Sequence, residues 1–187
     1  GTVTSGRVAV AATGGIGAAT GGNRVQTSTS NLLIGGLNLT GLGEEVPTPV
    51  VNAGDDFLEN VGAVQLNLSG VNANGDLDVV QDGANLVVDQ FARGRFDFAP
   101  ASVLSSFSIT SDAADGVLGQ ASGQSISLVT RTAGDIQVNR DVVSNAGTIA
   151  LVSVEDIALA NDITTGSATN GALVDLIAQN SRITRTD

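Results

Sequence analysis

Short aliphatic alternations recur along this chain at intervals of about two dozen residues. Ser125-Ile126-Ser127-Leu128-Val129 returns 23 residues later as Thr148-Ile149-Ala150-Leu151-Val152, and 25 residues after that as Leu173-Val174-Asp175-Leu176-Ile177. A second series is interleaved with the first. Asp135-Ile136-Gln137-Val138, followed by Asn139, Arg140, Asp141 and Val142, reappears at an offset of 21 as Asp156-Ile157-Ala158-Leu159, followed by Ala160, Asn161, Asp162 and Ile163. Ser144 and Thr165 keep that register. Alternation of period two over four or five residues makes a strand with one buried face. Gly and Asn at the ends supply the sharp corners. One such coil cannot bury its own apolar face, so it must stack on the next. The spacing therefore predicts Ile126, Ile149 and Val174 above one another, with Leu128, Leu151 and Leu176 beside them.

Composition agrees with that reading. Hydrophobic residues make up 42% of the 187 positions but aromatics only 3%, so the interior must be built from similar, medium-sized aliphatic side chains. That suits a thin, repetitive core better than the irregular core of a compact globule. The expected fold is all-β: a single domain over 1–187, a single-stranded parallel β-helix (β-solenoid) of 21–26 residues per coil. About eight coils and a rod of about 40 Å follow from a strand spacing of about 4.8 Å. Glycine recurs too often for long helices; only Gly54–Val64 has the spacing for a turn or two of helix.

The same grammar continues upstream. Val8 to Ile16 spans eight residues, as does Ile149 to Ile157, and Val25, Leu32, Leu33, Leu37 and Leu39 mark further strands. Val64–Leu68, Asp76–Val80, Leu86–Val88, Phe96–Phe98 and Phe107–Ile109 follow, with the alternating Phe96 and Phe98 expected to face the core. Residues 43–60 break the rhythm with two of the three prolines and five carboxylates, and read as one acidic loop inserted into the solenoid.

Much chemistry is excluded at once. The chain has no His, Cys, Met, Trp or Tyr, and all eight basic residues are arginines. Zinc sites of the usual kinds, thiol nucleophiles, Ser-His-Asp triads, Schiff bases and P-loops are therefore absent. A formal charge of −11 argues against nucleic acid as a partner, since phosphate must be neutralised by a basic face. No run approaches the roughly 18 apolar residues of a membrane span, so no membrane insertion is expected. The missing leader and the final strand-like residues are read as signs of a fragment or a processed chain.

Gly6-Arg7-Val8-Ala9-Val10-Ala11-Ala12-Thr13-Gly14-Gly15-Ile16-Gly17, followed by Asn23-Arg24-Val25-Gln26-Thr27 and Asn31-Leu32, resembles the repeats of filamentous-haemagglutinin-like adhesins. Gly75–Val79, Gly134–Val138 and Glu155–Leu159 resemble that family's G-D-I-x-L strand. The resemblance implies a right-handed β-helix shaft of a secreted bacterial surface protein. Its partners would be neighbouring repeats or other copies end to end, and a receptor or glycan of unknown identity. The family's N-P-N-G-I secretion motif is not found, so the shaft is implied rather than the secretion cap. No catalytic residue and no cofactor are implied. The expected function is a non-enzymatic, extracellular structural or adhesive segment; the alternative is a carbohydrate-binding or polysaccharide-processing β-helix.

Candidate sites are few. Asn72, Asn74, Asp76 and Asp78 space oxygen ligands roughly as a calcium loop does, but lack the distal bidentate Glu. Solenoid corners need the same residues for backbone reasons alone. Glu44, Glu45, Asp55, Asp56 and Glu59 lie in the inserted segment, where a rigid scaffold best carries recognition. Arg93 and Arg95, beside Phe91, Phe96 and Phe98, form an aromatic-basic cluster able to stack on a sugar or another chain. Thr27 and Thr29 make one unrepeated T-x-T pair, too little for an ice-binding ladder.

Overall fold

The computed structural model describes residues 1–19, 23–35, 37–40, 54–71, 75–89, 96–98, 107–111, 121–123, 125–144, 147–165 and 173–186. In chain order, the first coil carries β1 (Thr2–Thr4) and β2 (Val8–Val10), and the second β3 (Val25–Ser28) and β4 (Asn31–Ile34), from which β5 (Leu37–Thr40) departs. The third holds β6 (Asp56–Val61) and β7 (Leu66–Val71). The fourth holds β8 (Leu77–Asp82) and β9 (Leu86–Val88), then β10 (Phe96–Phe98), β11 (Phe107–Ser111) and β12 (Ala121–Gly123). The fifth is β13 (Ile126–Arg131), β14 (Ile136–Val138) and β15 (Val142–Ser144). The sixth is β16 (Ile149–Ser153), β17 (Ile157–Leu159) and β18 (Ile163–Thr165), and the seventh β19 (Val174–Ala178) and β20 (Ile183–Arg185).

Strands from successive coils pair in parallel and form the walls of a prism. The first wall runs β1-β3-β6-β8-β13-β16-β19. The second runs β2-β4-β7-β9-β14-β17-β20, and the third continues from the end of β7 through β12, β15 and β18. The predicted registers are found: Ile126 pairs with Ile149 and Ile149 with Val174, Leu128 with Leu151 and Leu151 with Leu176. Ile136 pairs with Ile157, Val138 with Leu159, Val142 with Ile163 and Ser144 with Thr165. The fold is thus a parallel β-solenoid, with seven described coils instead of eight; at about 4.8 Å per coil the first wall spans about 29 Å.

One continuous dry interior holds the coils together. Leu32, Leu58, Leu66, Leu68, Leu77, Val79, Leu86, Leu128, Ile136, Ile149, Leu151 and Ile157 are fully buried and belong to a single cluster. Each contributes about 1.5–3 kcal/mol by leaving water. Gly70 occupies a wall position where a Cβ would lie 2.7 Å from Leu77 Cδ2, so glycine makes room for that leucine.

Four expectations are corrected. Gly54–Val64 is not helical: Asp56–Val61 is β6, a full strand of the first wall. The inserted loop therefore does not reach residue 60, and 43–53 lies outside the described residues. Val8 and Ile16 do not repeat the Ile149–Ile157 step, because Val8 stacks on Leu32 in the second wall while Ile16 bridges to Asp56 in the first. Phe96–Phe98 and Phe107–Ser111 form no solenoid rung. They pair antiparallel with each other, and β11 pairs antiparallel with β5, making a separate three-stranded sheet. Any strand with one face in the core and one in water alternates, whichever way its neighbour runs, so the sequence pattern could not separate the two.

Gly134 has φ +112°, and a Cβ there would overlap the Ala84 carbonyl of the coil below. Gly134→Ala is expected to lower unfolding free energy by about 2 kcal/mol or more through strain and clash together. Chemical denaturation followed by far-UV circular dichroism checks it; an unchanged midpoint would show that the corner has room to relax.

Candidate functional site

At each corner the backbone leaves one wall before entering the next, and its N–H groups need partners from the adjacent coil. Aspartate and asparagine supply them. Asp55 Oδ1 accepts from Asp76 N at 3.0 Å, and Asp76 Oδ1 accepts from Ser125 N at 3.0 Å. At the second corner Asn85 Oδ1 accepts from Asp135 N, Asp135 Oδ1 from Asp156 N, and Asp156 Oδ1 from Arg182 N, each at 3.0 Å. The recurring Asp of the G-D-I strand is therefore a coil-to-coil cap. Hydrogen bonds from the Ser181 side chain and the Arg182 backbone hold the Asp156 carboxyl below the usual carboxylate range; desolvation opposes them, and the Arg182 charge adds the least.

On the outer face of the first wall, two arginines each straddle three coils. Arg24 Nη2 donates to Asp78 Oδ2 at 2.6 Å, and its Nη1 reaches the carbonyls of Leu58 and Asp78 at 3.3 and 3.4 Å. The guanidinium passes over Phe57, 5.8 Å from the ring centroid, within cation–π range. From the opposite direction Arg131 pairs with Glu59, two coils away, and lies 3.5 Å from Asp82 Oδ2. Thr132 Oγ1 adds a bond to Asp82 at 2.8 Å.

Beside the Arg24 clasp lies a shallow groove of about 180 Å³. Phe57 closes one end, Ser127 and Ala150 form the floor, and Asp76, Ser125 and Thr148 line its side. The depression exists because Phe57, Asp78, Ser127 and Ala150 share one outward column and the side chains shrink along it. Both carboxylates are engaged. Asp76 caps Ser125, and Asp78 binds Arg24, while Asp78 Oδ1 is buried with no hydrogen-bond partner among the described residues.

The remaining candidates are placed as follows. Asp76 and Asp78 are held by backbone and arginine, and Asn72 and Asn74 lie outside the described residues; no group of three or more Asp or Glu able to hold a metal occurs among the described residues. Asp55 is exposed and caps Asp76. Asp56 is fully buried at a core-facing position beside Leu77, so it is not a surface contact. Glu59 pairs with Arg131 and keeps only 15% of its side chain exposed. Glu44, Glu45, Arg93 and Arg95 lie outside the described residues.

Sequence reasoning missed that the chain leaves the solenoid a second time, between β9 and β12, and that this excursion meets the first. The register of the side sheet sets Phe98 opposite Phe107, Phe96 opposite Ile109, and Ile109 opposite Leu39. Four of the five phenylalanines fall in 91–107, a clustering visible in the sequence. Comparison with known protein families, curated proteins and solved structures gives no match.

Two outcomes test the site's electrostatics. A double-mutant cycle of Arg24→Ala and Asp78→Ala should give a coupling of about 1 kcal/mol that shrinks in high salt. For Asp156 the folded carboxyl titrates below its unfolded value, so its stabilisation is present above the unfolded pKa and is lost as pH falls through the folded one. NMR titration should place Asp156 below an ordinary aspartate, and Asp156→Asn should flatten that part of the acid-stability profile.

Proposed function

We propose that this chain is a non-enzymatic structural segment of an extracellular bacterial shaft, of the filamentous-haemagglutinin-like kind its repeats resemble. The shaft is extended by coils stacked end to end, and the sheet of β5, β11 and β10 is carried on its side for recognition. The observation that carries this reading is the seventh coil. Its rung side chains continue the columns of the interior, yet Val174 is 41% and Ile183 45% exposed. Matching positions in the sixth coil, Ile149 and Ile157, are fully buried. A further coil, from neighbouring repeats or another copy, would bury them and pair the free edge of β19.

Two features support a scaffold role over catalysis. The walls are braced by capped corners and three-coil clasps, and the Asp76–Asp78 pair, nearest to a catalytic couple, is engaged in structural bonds. Recognition is assigned to the excursions because loops held on a rigid frame tolerate variation the rungs do not.

Charges at the open end should block stacking. Val174→Lys with Ile183→Lys is expected to reduce concentration-dependent association seen by sedimentation velocity and to shorten rods in electron micrographs. A protein that stays monomeric at every concentration, with micrographs of isolated short rods only, would sink copy-to-copy stacking.

The groove beside Phe57 favours a second reading, a saccharide lying along the axis on its hydroxyl-bearing side. Glycan-array binding abolished by Phe57→Ala, with the fold intact, would support it; no binding to any glycan removes it.

A further inference from the structure

Inward-facing positions of the first wall are aliphatic at Leu58, Leu77, Val79, Leu128 and Leu151, and such rungs are interchangeable under a slip of two residues. A slip of one is forbidden because it turns the polar face inward. A slip of two keeps aliphatic on aliphatic. The next column holds Thr27, Asn60, Gln81 and Thr130, paired in register and all buried.

Asn60 is 1% exposed and uses both ends of its amide. Its Oδ1 accepts from Thr27 Oγ1 at 2.8 Å and from Thr29 N at 2.9 Å. Its Nδ2 donates to the Thr29 carbonyl at 3.0 Å and to Gln81 Oε1 at 2.7 Å. Gln81 Nε2 then reaches the carbonyls of Gly62 and Val64 at 3.2 and 3.4 Å. One side chain thus links the second, third and fourth coils with every donor and acceptor engaged. Displacement by two residues one way sets this amide against Val25 and Val79, and the other way against Thr29 and Gly83; either way its bonds to Thr27 Oγ1 and Gln81 Oε1 are lost, at about 1–3 kcal/mol for each group left unpaired.

We propose that the Thr27–Asn60–Gln81 ladder is a register lock for the coils that bear the two excursions. It is needed there because a long chain segment separates β4 from β6, so connection length cannot fix the alignment of the second coil with the third. Alignment matters there because β5 leaves the second coil and β11 the fourth, and the two must meet. A two-residue slip moves one coil by about 6.6 Å relative to the other, enough to unpair them. The lock operates whether or not the rod is adhesive.

Natural absence of cysteine makes cross-linking a clean test. Gln26 and Glu59 are outward register partners, so Gln26→Cys with Glu59→Cys reports the native alignment. Ser28→Cys with Glu59→Cys, and Gln26→Cys with Val61→Cys, report the two slipped ones; in the native register these diagonal pairs stand about 8 Å apart, beyond disulfide reach. With the ladder intact only the native pair should oxidise. In Asn60→Leu, and in Thr27→Val/Asn60→Leu/Gln81→Leu should the single variant not fold, one slipped pair should oxidise to at least a tenth of the native extent. Native cross-linking alone in the folded apolar variants would overturn the lock and leave alignment to the buried Asp56 or to the arginine clasps.

Discussion

Each coil of this protein is too thin to have an inside of its own. Its apolar side chains leave water only when an equivalent residue from the next coil lies directly above, about 4.8 Å away. That condition governs the rest of the structure. It fixes which residues are aliphatic, requires hydrogen bonds to run from coil to coil instead of within one, and turns every corner into a place where backbone groups need an outside partner. The columns of Asp and Asn at the two corners answer that last demand, and residues 49 or 50 positions apart become neighbours as a result.

Outside the aliphatic columns, buried polar residues follow the same logic. Thr130 Oγ1 donates to the Gly134 carbonyl at 2.8 Å, and Ser153 Oγ donates to it from the next coil at 2.9 Å. Glu155 N and Val154 N return bonds to Ser153 and Thr130. Short hydroxyls fill the column at Thr130 and Ser153 and longer amides at Asn60 and Gln81, so polar ladder and apolar rung are two ways of filling the interior.

The C-terminal coils were legible because two periodicities coincide there. Alternation within a strand and a 21–25 residue offset between strands both survive, so Ile126, Ile149 and Val174 could be stacked before any coordinates. Asp56–Val61 was illegible for a physical reason. Asp56 and Asn60 occupy inward positions, so hydrophobicity no longer marks the buried face, and Phe57 points outward under an arginine. Polar residues in the core imitate a loop. Thr27 and Thr29, read only as an unrepeated T-x-T pair, are buried partners of Asn60. The Arg24–Asp78 clasp joins residues 54 apart across three coils, and neither member carries a local signal.

Stacking like charges along a column has an electrostatic cost, and its size shows why aspartate is nevertheless used. Successive carboxylates such as Asp135 and Asp156, one coil apart, repel by about 1 kcal/mol in water-like surroundings. A carboxylate accepting a backbone N–H makes a bond roughly twice as strong as a neutral acceptor does. The two nearly cancel, and local context decides the balance. At the end of its column Asp156 accepts hydrogen bonds from the Ser181 side chain and the Arg182 backbone, and these, with a lesser contribution from the Arg182 charge, hold its carboxyl below the ordinary range. There hydrogen bonding wins. Asparagine opens the same column at Asn85, where a third successive negative charge would add repulsion without adding a stronger cap than the amide provides. A column that begins neutral and ends beside an arginine confines its like charges to the middle, and the chain's net charge of −11 is carried along a rod whose corners remain bonded.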